Sequence, residues 1–422
     1  MKIVWVVSSL LPQIARLTGE PEQPFGGWLV SVLDQLLADE ASEVVVCYRA
    51  SGAPKQGVSG RLAYRSFAQD VLSYSPENEA VFTALLRTEK PDVVHIWGTE
   101  YPFTLAMVNA CERVGLLEST AISIQGPTSV YALHYEAGLP KRVVCSYTLR
   151  DLLRRDNIAR QREKFVRRGA FEIDALEKTK HVIGRTDWDR SVALGINPSL
   201  IYHHCDETLR SQFYEGVWSV AGCRRHTVFA SQGDYPIKGF HQALEALAII
   251  RRTYPDARLV TTGGDPRAKG LRARLRRSSY ARYLARLIRR LKLGDSVSFL
   301  GRLTAEEMKR QYLGAHVALN PSSIENSSNA IGEAMLLGTP VVASRVGGTP
   351  DMIGESGGIL YPFGQPDQLA EAVCRIFSSD ELAETLSNSA RTAATRRHDP
   401  AKNMRDLTAI YRSLAGAAQE NH

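Results

Sequence analysis

The sequence predicts an α/β protein with two Rossmann-like, doubly wound domains that face each other across a cleft. Short apolar runs alternate with stretches of helical periodicity along the whole chain, and this alternation is typical of repeated βαβ units. The runs are continuously apolar, as in strands that are buried on both faces of a parallel sheet. The pattern restarts near residue 225, after a polar and aromatic stretch, which indicates a second domain.

The predicted strands of the first half are KIVWVVSS, SEVVVCYR, DVVHIWG, TAISIQG, HVIGRT and SLIYHH. Those of the second half are HTVFAS, ARLVTTGG, SVSFLG, HVALNPS and TPVVAS. A chain of 422 residues is too long for a single core to be expected. We therefore place residues 1–220 in an N-terminal domain and residues 221–396 in a C-terminal domain. Ligands of such sheets bind outside the carboxyl ends of the strands, which directs attention to the loops there.

The composition of the chain is that of a globular protein without a membrane-spanning segment. The chain is 44% hydrophobic and 23% charged, with a formal net charge of +7, which is ordinary for a globular protein and too weakly basic to imply nucleic-acid binding. The six cysteines contain no CxxC pair, so we expect a reduced, cytosolic protein. The N-terminal MKIVWVVSSLLP lacks a signal-peptide cleavage site and is better explained as a buried strand. No apolar run reaches the roughly 18 residues of a transmembrane helix.

Two glutamates, Glu325 and Glu333, lie in the segment PSSIENSSNAIGEAMLLGTPVVAS. HVALNPS is a predicted strand, SIENSS is the loop that follows it, and NAIGEAMLL is a helix. Ser327, Ser328 and Asn329 suit the N-cap of this helix, and Gly338 suits its end. The free N–H groups at the start of the helix form a site for anions and hydroxyls. Glu325 lies in the loop before that site, and Glu333 lies about one turn inside the helix.

Two more loops after strands favour a binding site. Gly347 and Gly348 lie in SRVGGTPDMI, and Lys238 and Gly239 lie in ASQGDYPIKGF. If the glutamate pair stood alone, the alternative would be two surface glutamates, one of which adds favourable charge to a helix start. Because all three loops leave the carboxyl ends of strands, their side chains converge. A carboxylate pair, a glycine pair and a lysine together suit a nucleotide diphosphate with a hydroxyl-rich sugar attached.

The segments that contain these residues resemble the motifs of glycosyltransferase family 4, whose members are retaining enzymes of the GT-B fold. ENSSNAIGE matches the E-x7-E signature of the family, and EAMLLGTPVVASRVGGTPDMI continues its pattern. The resemblance extends over nearly the whole chain and is strongest from Thr227 to Ile353. It implies that the first domain binds the acceptor, that the second binds the sugar nucleotide, and that residues 397–422 form a helix that packs back on the first domain.

The resemblance also implies roles for individual residues. Glu325 would contact sugar hydroxyls near the reacting carbon, and Lys238 would neutralise the leaving diphosphate, so these are the expected catalytic residues. Glu333 would hold the ribose hydroxyls, and Arg302, in the turn FLGRL, would lie at the edge of the base. The other expected donor-binding groups are the backbone amides of Asn326, Ser327 and Ser328, the glycine loop of Gly26 and Gly27, and Gln125.

The sequence departs from the family pattern at two positions. Many members carry an arginine about five residues before the lysine, where this chain has Gly233; Arg345 and Arg185 are candidate replacements. Many members also end the fourth strand with a histidine, where this chain has Gln125, which donates a hydrogen bond but does not titrate. His95, in HIWG, is expected to be a partly buried strand histidine instead.

In the reaction that the resemblance implies, the acceptor hydroxyl attacks the face from which the diphosphate leaves, and the phosphate accepts its proton. This chemistry needs no enzyme nucleophile, metal or cofactor. TDWD resembles the DxD metal motif of the other main glycosyltransferase fold, but Thr186 followed by Asp189 is also a capping pattern. HHCDE, from His203 to Glu207, resembles a metal cluster, but neighbouring side chains of an extended segment point to opposite faces, which favours a linker.

A basic stretch leaves two interpretations open. Residues 267–292 contain eleven Lys or Arg and no acid, and Leu284, Leu287, Ile288 and Leu291 share one helical face. The stretch is either a solvated helix with its apolar stripe on the core or a contact for an anionic membrane. A second basic stretch, RRDNIARQREKFVRRG, lies in the first domain.

The predicted function is a retaining, metal-independent hexosyltransferase that uses a UDP- or GDP-sugar donor and a glycan or lipid-linked acceptor. We expect a role in bacterial exopolysaccharide, capsule or surface glycan synthesis. The expected location is cytoplasmic and peripheral at the inner face of the cell membrane, with an anionic membrane surface as a further partner and no nucleic acid.

Three alternatives remain. They are a sugar-nucleotide epimerase of the GT-B type, a nucleic-acid-binding protein that uses the Arg-rich helix, and a sugar-nucleotide binder without catalysis. The E-x7-E signature favours the transferase over the epimerase. The modest charge and the lack of an RRM, KH or OB signature argue against nucleic acid.

Overall fold

The computed structural model describes residues 1–21, 27–68 and 70–419. The chain divides into two compact units. The first comprises residues 1–130, 164–208 and 398–422, and the second comprises residues 131–163 and 209–397.

The first unit is built on one twisted sheet. In chain order its strands are β1 Lys2–Val7, β2 Glu43–Arg49, β3 Gln56–Ser59, β4 Leu62–Phe67, β5 Val93–Trp97, β6 Thr120–Ser123, β7 His181–Gly184 and β8 Ile201–His204. The spatial order is β3-β4-β2-β1-β5-β6-β7-β8. The β3–β4 pair is antiparallel, whereas β1 pairs in parallel with both β2 and β5. The strand order reverses direction between β1 and β5. The topological switch point of the sheet therefore lies between these two strands.

The second unit has a smaller parallel sheet. Its strands are β9 Arg224–Ala230, β10 Arg258–Thr261, β11 Val297–Phe299, β12 Ala315–Asn320, β13 Val341–Ser344 and β14 Ile359–Tyr361. They lie in the order β11-β10-β9-β12-β13-β14. β9 pairs with β10 on one side and with β12 on the other. The switch point of this sheet is therefore between β9 and β12, and loops that follow these two strands meet there.

Helices cover both sheets. In chain order they are α1 Pro12–Thr18, α2 Gly27–Ala38, α3 Pro76–Glu89, α4 Pro102–Val114, α5 Thr128–His134, α6 Lys141–Val144, α7 Leu149–Arg154, α8 Ile158–Lys178, α9 Asp187–Ile196, α10 Phe240–Ile250, α11 Leu271–Arg276, α12 Ser279–Arg290, α13 Ala305–Gly314, α14 Asn329–Leu337, α15 Thr349–Ile353, α16 Pro366–Ser378, α17 Asp380–Arg397 and α18 Pro400–Gln419. In the described part of the chain, no helix is long and apolar enough to cross a membrane.

The predicted fold class is confirmed in its two doubly wound α/β domains with mainly parallel sheets. The strands predicted from continuous apolar runs all form. β3, β4 and β14 are additional: β3 is an edge strand, β4 lies next to it, and β14 is an edge strand of only three residues. Edge strands are partly exposed and therefore carry polar residues, which hides them from a search for apolar runs.

The segment 131–163 belongs to the second unit, although the sequence analysis assigns it to the N-terminal domain. His241 Nε2 lies 3.0 Å from the carbonyl oxygen of Ala137. The backbone N–H of Ser279, at the start of α12, donates to Asp151 Oδ2 at 2.8 Å. These are specific polar contacts between residues distant in sequence, and a pattern along the chain does not reveal them.

The last helix packs in the first unit. Leu407, Tyr411 and Leu414 of α18 belong to the same buried cluster as Trp5 of β1. Trp5 Nε1 donates to the Tyr411 hydroxyl at 3.0 Å, and the same hydroxyl lies 2.6 Å from Nδ1 of His95.

The histidine and the acidic motif set aside in the sequence analysis are structural. His95 is fully buried, and its Nε2 lies 2.7 Å from the Ser123 hydroxyl. Burial lowers the pKa of His95 to about 3. Thr186 and Asp189 form a capping box at the start of α9. HHCDE begins at the end of the edge strand β8.

The basic stretch 267–292 forms the helices α11 and α12. Leu284, Leu287 and Ile288 of α12 are buried at 1–2% exposure. The apolar stripe of α12 thus faces the core, as the solvated-helix interpretation requires.

Candidate functional site

The loop that carries Glu325 is closed at its two ends by Asn320. This residue ends β12, and its side chain accepts from the N–H of Ser322 at 3.3 Å and donates to the Ser328 hydroxyl at 3.2 Å. Ser328 is the N-cap of α14, as predicted, and Gly338 ends the helix in the left-handed conformation. Because its hydroxyl is engaged by Asn320, Ser328 makes no side-chain cap bond. The loop is therefore held in one shape across the end of the strand.

Glu325 and Lys238 are in direct contact. Lys238 Nζ lies 2.5 Å from Glu325 Oε1, and the Ser322 hydroxyl donates to the same oxygen at 2.7 Å. The lysine side chain is 28% exposed, whereas the glutamate side chain is only 7% exposed. The two predicted catalytic residues thus form an ion pair whose lysine remains accessible to solvent.

The turn that carries Lys238 is packed tightly on the glutamate loop. Gly239 has a φ of +65°, and a Cβ there would lie 1.8 Å from the carbonyl oxygen of Pro321. The N–H of Ser323 donates to the carbonyl of Ile237 at 2.8 Å. Lys238 follows β9 and Glu325 follows β12, so the contact is formed at the switch point of the second sheet.

The glycine pair supports the same loop from the other side. A Cβ on Gly347, whose φ is +49°, would lie 2.0 Å from the carbonyl oxygen of Glu325. The N–H of Gly348 donates to that oxygen at 3.0 Å. The hydroxyl of Ser344, at the end of β13, donates to the carbonyl of Ser322 at 2.5 Å. The three predicted loops therefore converge, and the glycines allow the backbone of one to lie directly on the backbone of another.

Glu333 has a partner that the sequence analysis did not identify. Arg210 Nε and Nη2 donate to its two carboxylate oxygens at 2.7 and 2.8 Å, a bidentate pair. Glu333 is 4% exposed, and this burial raises its pKa while the Arg210 guanidinium opposes the rise. Arg210 also lies over the Phe213 ring at 4.7 Å. Each oxygen still has capacity for a second hydrogen bond, so Arg210 orients the carboxylate without saturating it.

The start of α14 is less open than predicted. The N–H of Ser328 lies 2.9 Å from Met352 Sδ, and a thioether is a weak acceptor. Asn326 is 1% exposed and Ser328 is 7% exposed. A small pocket beside this helix start is lined by Ser231, Asn320 and Ile331, which puts it at the carboxyl ends of β9 and β12.

Arg302 lies in the turn after β11, and Gly233 lies in the turn after β9. Arg302 is exposed and follows Gly301, whose backbone forms a pair of hydrogen bonds with Gly263 at 2.8 and 3.1 Å. Gly233 is buried, and a Cβ there would lie 2.9 Å from Thr261 Oγ1. An arginine at position 233 would therefore require Thr261 to move. Arg345 is exposed after the end of β13.

The remaining predicted residues belong to the first unit. Gly26 lies outside the described residues, Gly27 begins α2, and Gln125 follows the end of β6. Arg185 is 4% exposed, is paired with Glu207 at 2.9 Å and donates to the carbonyl of Ile124 at 3.2 Å. Arg185 is therefore bonded to residues of its own unit.

The first unit also contains a pocket at the carboxyl ends of β5, β6 and β7. It is lined by Trp97, Ser123, Arg185, Glu207 and Asn403, among others. Sequence reasoning did not find this pocket, because Asn403 comes from α18, far along the chain.

Comparisons with known proteins found sequence similarity over part of the chain. Residues 224–379 match the family model described as glycosyl transferases group 1. A D-inositol 3-phosphate glycosyltransferase from Corynebacterium urealyticum is 30% identical over 187 residues, which are 44% of this chain and 42% of that protein. The match thus spans less than half of this relative's length. The matched family region contains the Lys238 turn, the Glu325 loop and the glycine pair.

Solved structures resemble the whole chain. Sucrose-phosphate synthase from Thermosynechococcus elongatus superimposes with a TM-score of 0.67 at 18% identity, over 99% of this chain and 100% of that chain. Anabaena Alr3699/HepE, in complex with UDP and glucose, gives a TM-score of 0.66 at 16% identity, over 97% of this chain and 98% of that chain. The likeness shows a shared fold.

Proposed function

We propose that the protein is a glycosyltransferase that moves a sugar from a nucleotide-diphosphate donor to an acceptor hydroxyl. The observation that carries the proposal is the contact between Lys238 and Glu325 at the switch point of the second sheet. It lies within the region that matches the group 1 glycosyltransferase model. The similar HepE structure is described as a complex with UDP and glucose, which supports a nucleotide sugar as the donor.

In the proposed reaction the bond between the anomeric carbon and the phosphate oxygen breaks, and a bond from that carbon to the acceptor oxygen forms. Negative charge develops on the diphosphate, and Lys238 neutralises it. Lys238 must first exchange Glu325 for a phosphate oxygen, and its partial exposure permits that movement. Glu325, whose Oε1 still accepts from Ser322, then has capacity left by Lys238 to accept from sugar hydroxyls. We propose that Glu333, oriented by Arg210, accepts from the ribose.

The proposal also covers the stereochemistry of the reaction, the identity of the donor and the residues that bind it. The enzyme is a retaining hexosyltransferase of family 4 that needs no metal or cofactor, because the leaving phosphate itself accepts the proton of the acceptor. The donor is a UDP- or GDP-sugar, and Arg302 lies at the edge of the base. Asn326, Ser327 and Ser328 complete the proposed donor site of the second unit, whereas Gly26, Gly27 and Gln125 remain donor-binding residues predicted from the sequence.

The proposed acceptor is a glycan or lipid-linked sugar for a bacterial surface polysaccharide. We propose that the first unit holds it, supported by the pocket that Ser123, Arg185 and Asn403 line there. A cytoplasmic enzyme that contacts the anionic inner face of the membrane would meet such an acceptor there.

The first experiment measures binding and sugar release with a panel of UDP-, GDP- and ADP-sugars. Glu325→Ala and Lys238→Ala are expected to lower sugar release by at least about a hundredfold. Lys178→Ala and Glu112→Ala are matched controls, since these residues form an exposed ion pair at 2.8 Å on the first unit, and they should behave as wild type.

Three outcomes would contradict the proposal. In the first, no sugar nucleotide binds. In the second, one binds without turnover, which would leave a binding protein. In the third, the free sugar nucleotide is converted to its epimer, which would assign the site to epimerisation.

A further inference from the structure

Two short helices of the second unit carry the same sequence pattern. Residues 149–155 read LRDLLRR and residues 271–277 read LRARLRR, so both follow L-R-x-x-L-R-R. They form α7 and α11, which contact each other. Leucines four residues apart lie on one face of a helix, and each helix therefore presents a leucine pair beside arginines.

The leucines of this surface point to solvent. Their exposed fractions are 52% for Leu149, 60% for Leu152, 79% for Leu153, 73% for Leu271 and 44% for Leu275. The neighbouring α12, with the same basic composition, buries its leucines at 2%. A single exposed leucine needs no explanation, but a cluster on two adjoining helices marks an interaction surface.

The surface is held in place by a buried carboxylate. Asp151 of α7 is fully buried and forms a capping box with Thr148. Its Oδ2 also accepts from the N–H of Ser279, which opens α12, at 2.8 Å. Arg150 pairs with Asp151 at 3.0 Å and with Asp156 at 3.2 Å. Both aspartates are thus paired with an arginine within the fold. These contacts anchor α7, so its leucines are exposed although the helix is fixed in place.

The charge on this surface is positive. Arg154, Arg155, Arg272 and Arg276 are exposed. The acids near these helices in sequence, Asp151, Asp156 and Asp265, are each paired with an arginine. If a second copy of the chain bound here through the same surface, arginines would face arginines. A nucleic acid would pair with the arginines but would leave the leucines exposed to water. A bilayer with anionic lipids satisfies both groups, since leucines enter the boundary between headgroups and acyl chains while arginines contact phosphates.

We propose that α7 and α11 form the surface by which this protein binds an anionic lipid bilayer, through leucines on both helices and the arginines beside them. This locates the membrane contact of the proposed function on a surface other than α12. Binding itself does not depend on glycosyl transfer.

The test is flotation of the full chain with vesicles of phosphatidylcholine alone and with about one third phosphatidylglycerol. Wild type should float with the anionic vesicles and remain behind with the neutral ones. Leu153→Ser with Leu271→Ser should lower the partition coefficient at least about tenfold. Arg154→Gln with Arg276→Gln should lower it and weaken its salt dependence.

Matched variants make the result specific. Val58→Ser with Val217→Ser removes two exposed apolar side chains elsewhere, at 76% and 58% exposure, and should float as wild type. Arg286→Gln with Arg289→Gln removes exposed charges of α12 and should retain most of the binding. Unchanged circular dichroism and sugar-nucleotide binding in the same samples would show that the variants are folded.

Several results would overturn the inference. They are the absence of flotation with anionic vesicles, leucine variants that float as wild type, and a loss of binding confined to the α12 variant. Retention by a short RNA that competes with the vesicles would assign the arginines to nucleic acid instead. Flotation without any sugar-nucleotide binding would reject the proposed enzyme but leave this surface intact.

Discussion

The two glutamates of the signature each contact a different cation, with different consequences. Glu325 shares one oxygen with Lys238 and Ser322, and the lysine is partly exposed. Glu333 accepts from two guanidinium nitrogens of Arg210, which binds it as a bidentate pair. The first pair is suited to exchange partners with a ligand, whereas the second fixes a buried carboxylate in one orientation.

Arg210→Gln tests the second pair. Loss of the guanidinium leaves Glu333 buried without its counter-charge, and we expect a decrease of about 3 kcal/mol in the free energy of unfolding at pH 7–8. Because burial already raises the pKa of Glu333, the variant should protonate it more readily, and the decrease should be smaller near pH 5. Urea denaturation followed by tryptophan fluorescence measures this difference.

The control for that experiment is Arg225→Gln. Arg225 pairs with Asp380 at 2.6 Å, but the two side chains are 44% and 55% exposed, so the change should cost less than about 1 kcal/mol. Equal effects of the two substitutions would show that Arg210 makes only an ordinary surface pair.

Glu100, after the end of β5, provides a pH test. Burial raises the pKa of Glu100 to about 7, and within the described chain its Oε2 has no hydrogen-bond partner. A carboxyl with a raised pKa in the folded state stabilises the fold below its ordinary pKa of about 4.5, and this contribution is lost as pH rises through 7. Glu100→Gln should therefore gain stability relative to wild type between pH 5 and pH 8, by about 1–3 kcal/mol.

Thermal unfolding across that pH range measures the effect, with Glu163→Gln as the control. Glu163 is 54% exposed and pairs with Arg160, so its substitution should give a difference that hardly changes between pH 5 and 8. A constant difference for Glu100→Gln as well would mean that Glu100 is ionised throughout.

At the scale of elements, the site is a junction of three turns that follow β9, β12 and β13. Backbone contacts hold it: Gly239 lies against Pro321, and Gly347 lies against Glu325. The side chains that are proposed to act on the donor are positioned by these contacts, because each sits on a loop whose path is set by a neighbouring loop.

Gly347→Ala tests this junction. The added Cβ would lie 2.0 Å from the carbonyl oxygen of Glu325, at a φ of +49°, so the loop must move. We expect a loss of at least about 1 kcal/mol of stability from the left-handed conformation alone, and weaker binding of the sugar nucleotide. Isothermal titration measures the affinity.

Gly294→Ala is the matched control, since nothing lies within 4 Å of a Cβ there and its backbone is not left-handed. If Gly347→Ala bound the donor as tightly as Gly294→Ala, the glycine pair would have no part in holding the Glu325 loop.

At the scale of the whole molecule, the first unit depends on a helix from the end of the chain. The Tyr411 hydroxyl of α18 joins Trp5 of β1 and His95 of β5 in its core. The contact with Trp5 spans 406 residues of sequence. Synthesis must therefore reach α18 before the core of the first unit can be completed.

Tyr411→Phe removes that hydroxyl and leaves the buried Trp5 N–H without its acceptor. We expect a decrease of about 1–3 kcal/mol in the free energy of unfolding, measured by denaturation with tryptophan fluorescence. Tyr361→Phe is the control, because the Tyr361 hydroxyl is buried without a hydrogen-bond partner in the described part of the chain, and its removal should be neutral or stabilising. A neutral result for both would show that packing alone holds α18.

Much of this organisation follows from the sequence by itself. Continuous apolar runs predict the parallel strands, since burial on both faces leaves no polar positions. The ends of α14 follow from local preferences, with a serine N-cap and a glycine in the left-handed conformation. The convergence of the Lys238, Glu325 and Gly347 loops follows from the fold class, because the carboxyl ends of parallel strands share one edge.

Only the tertiary structure determines which residues contact each other across long separations in sequence. Arg210 as the partner of Glu333, residues 131–163 as part of the second unit, and the juxtaposition of α7 with α11 leave no periodic signal along the chain. Periodicity reports which face of an element is buried, but not which distant residue covers it. Pairings of that kind depend on the packing of the complete chain, and the two matching L-R-x-x-L-R-R segments become a surface only when the fold brings them together.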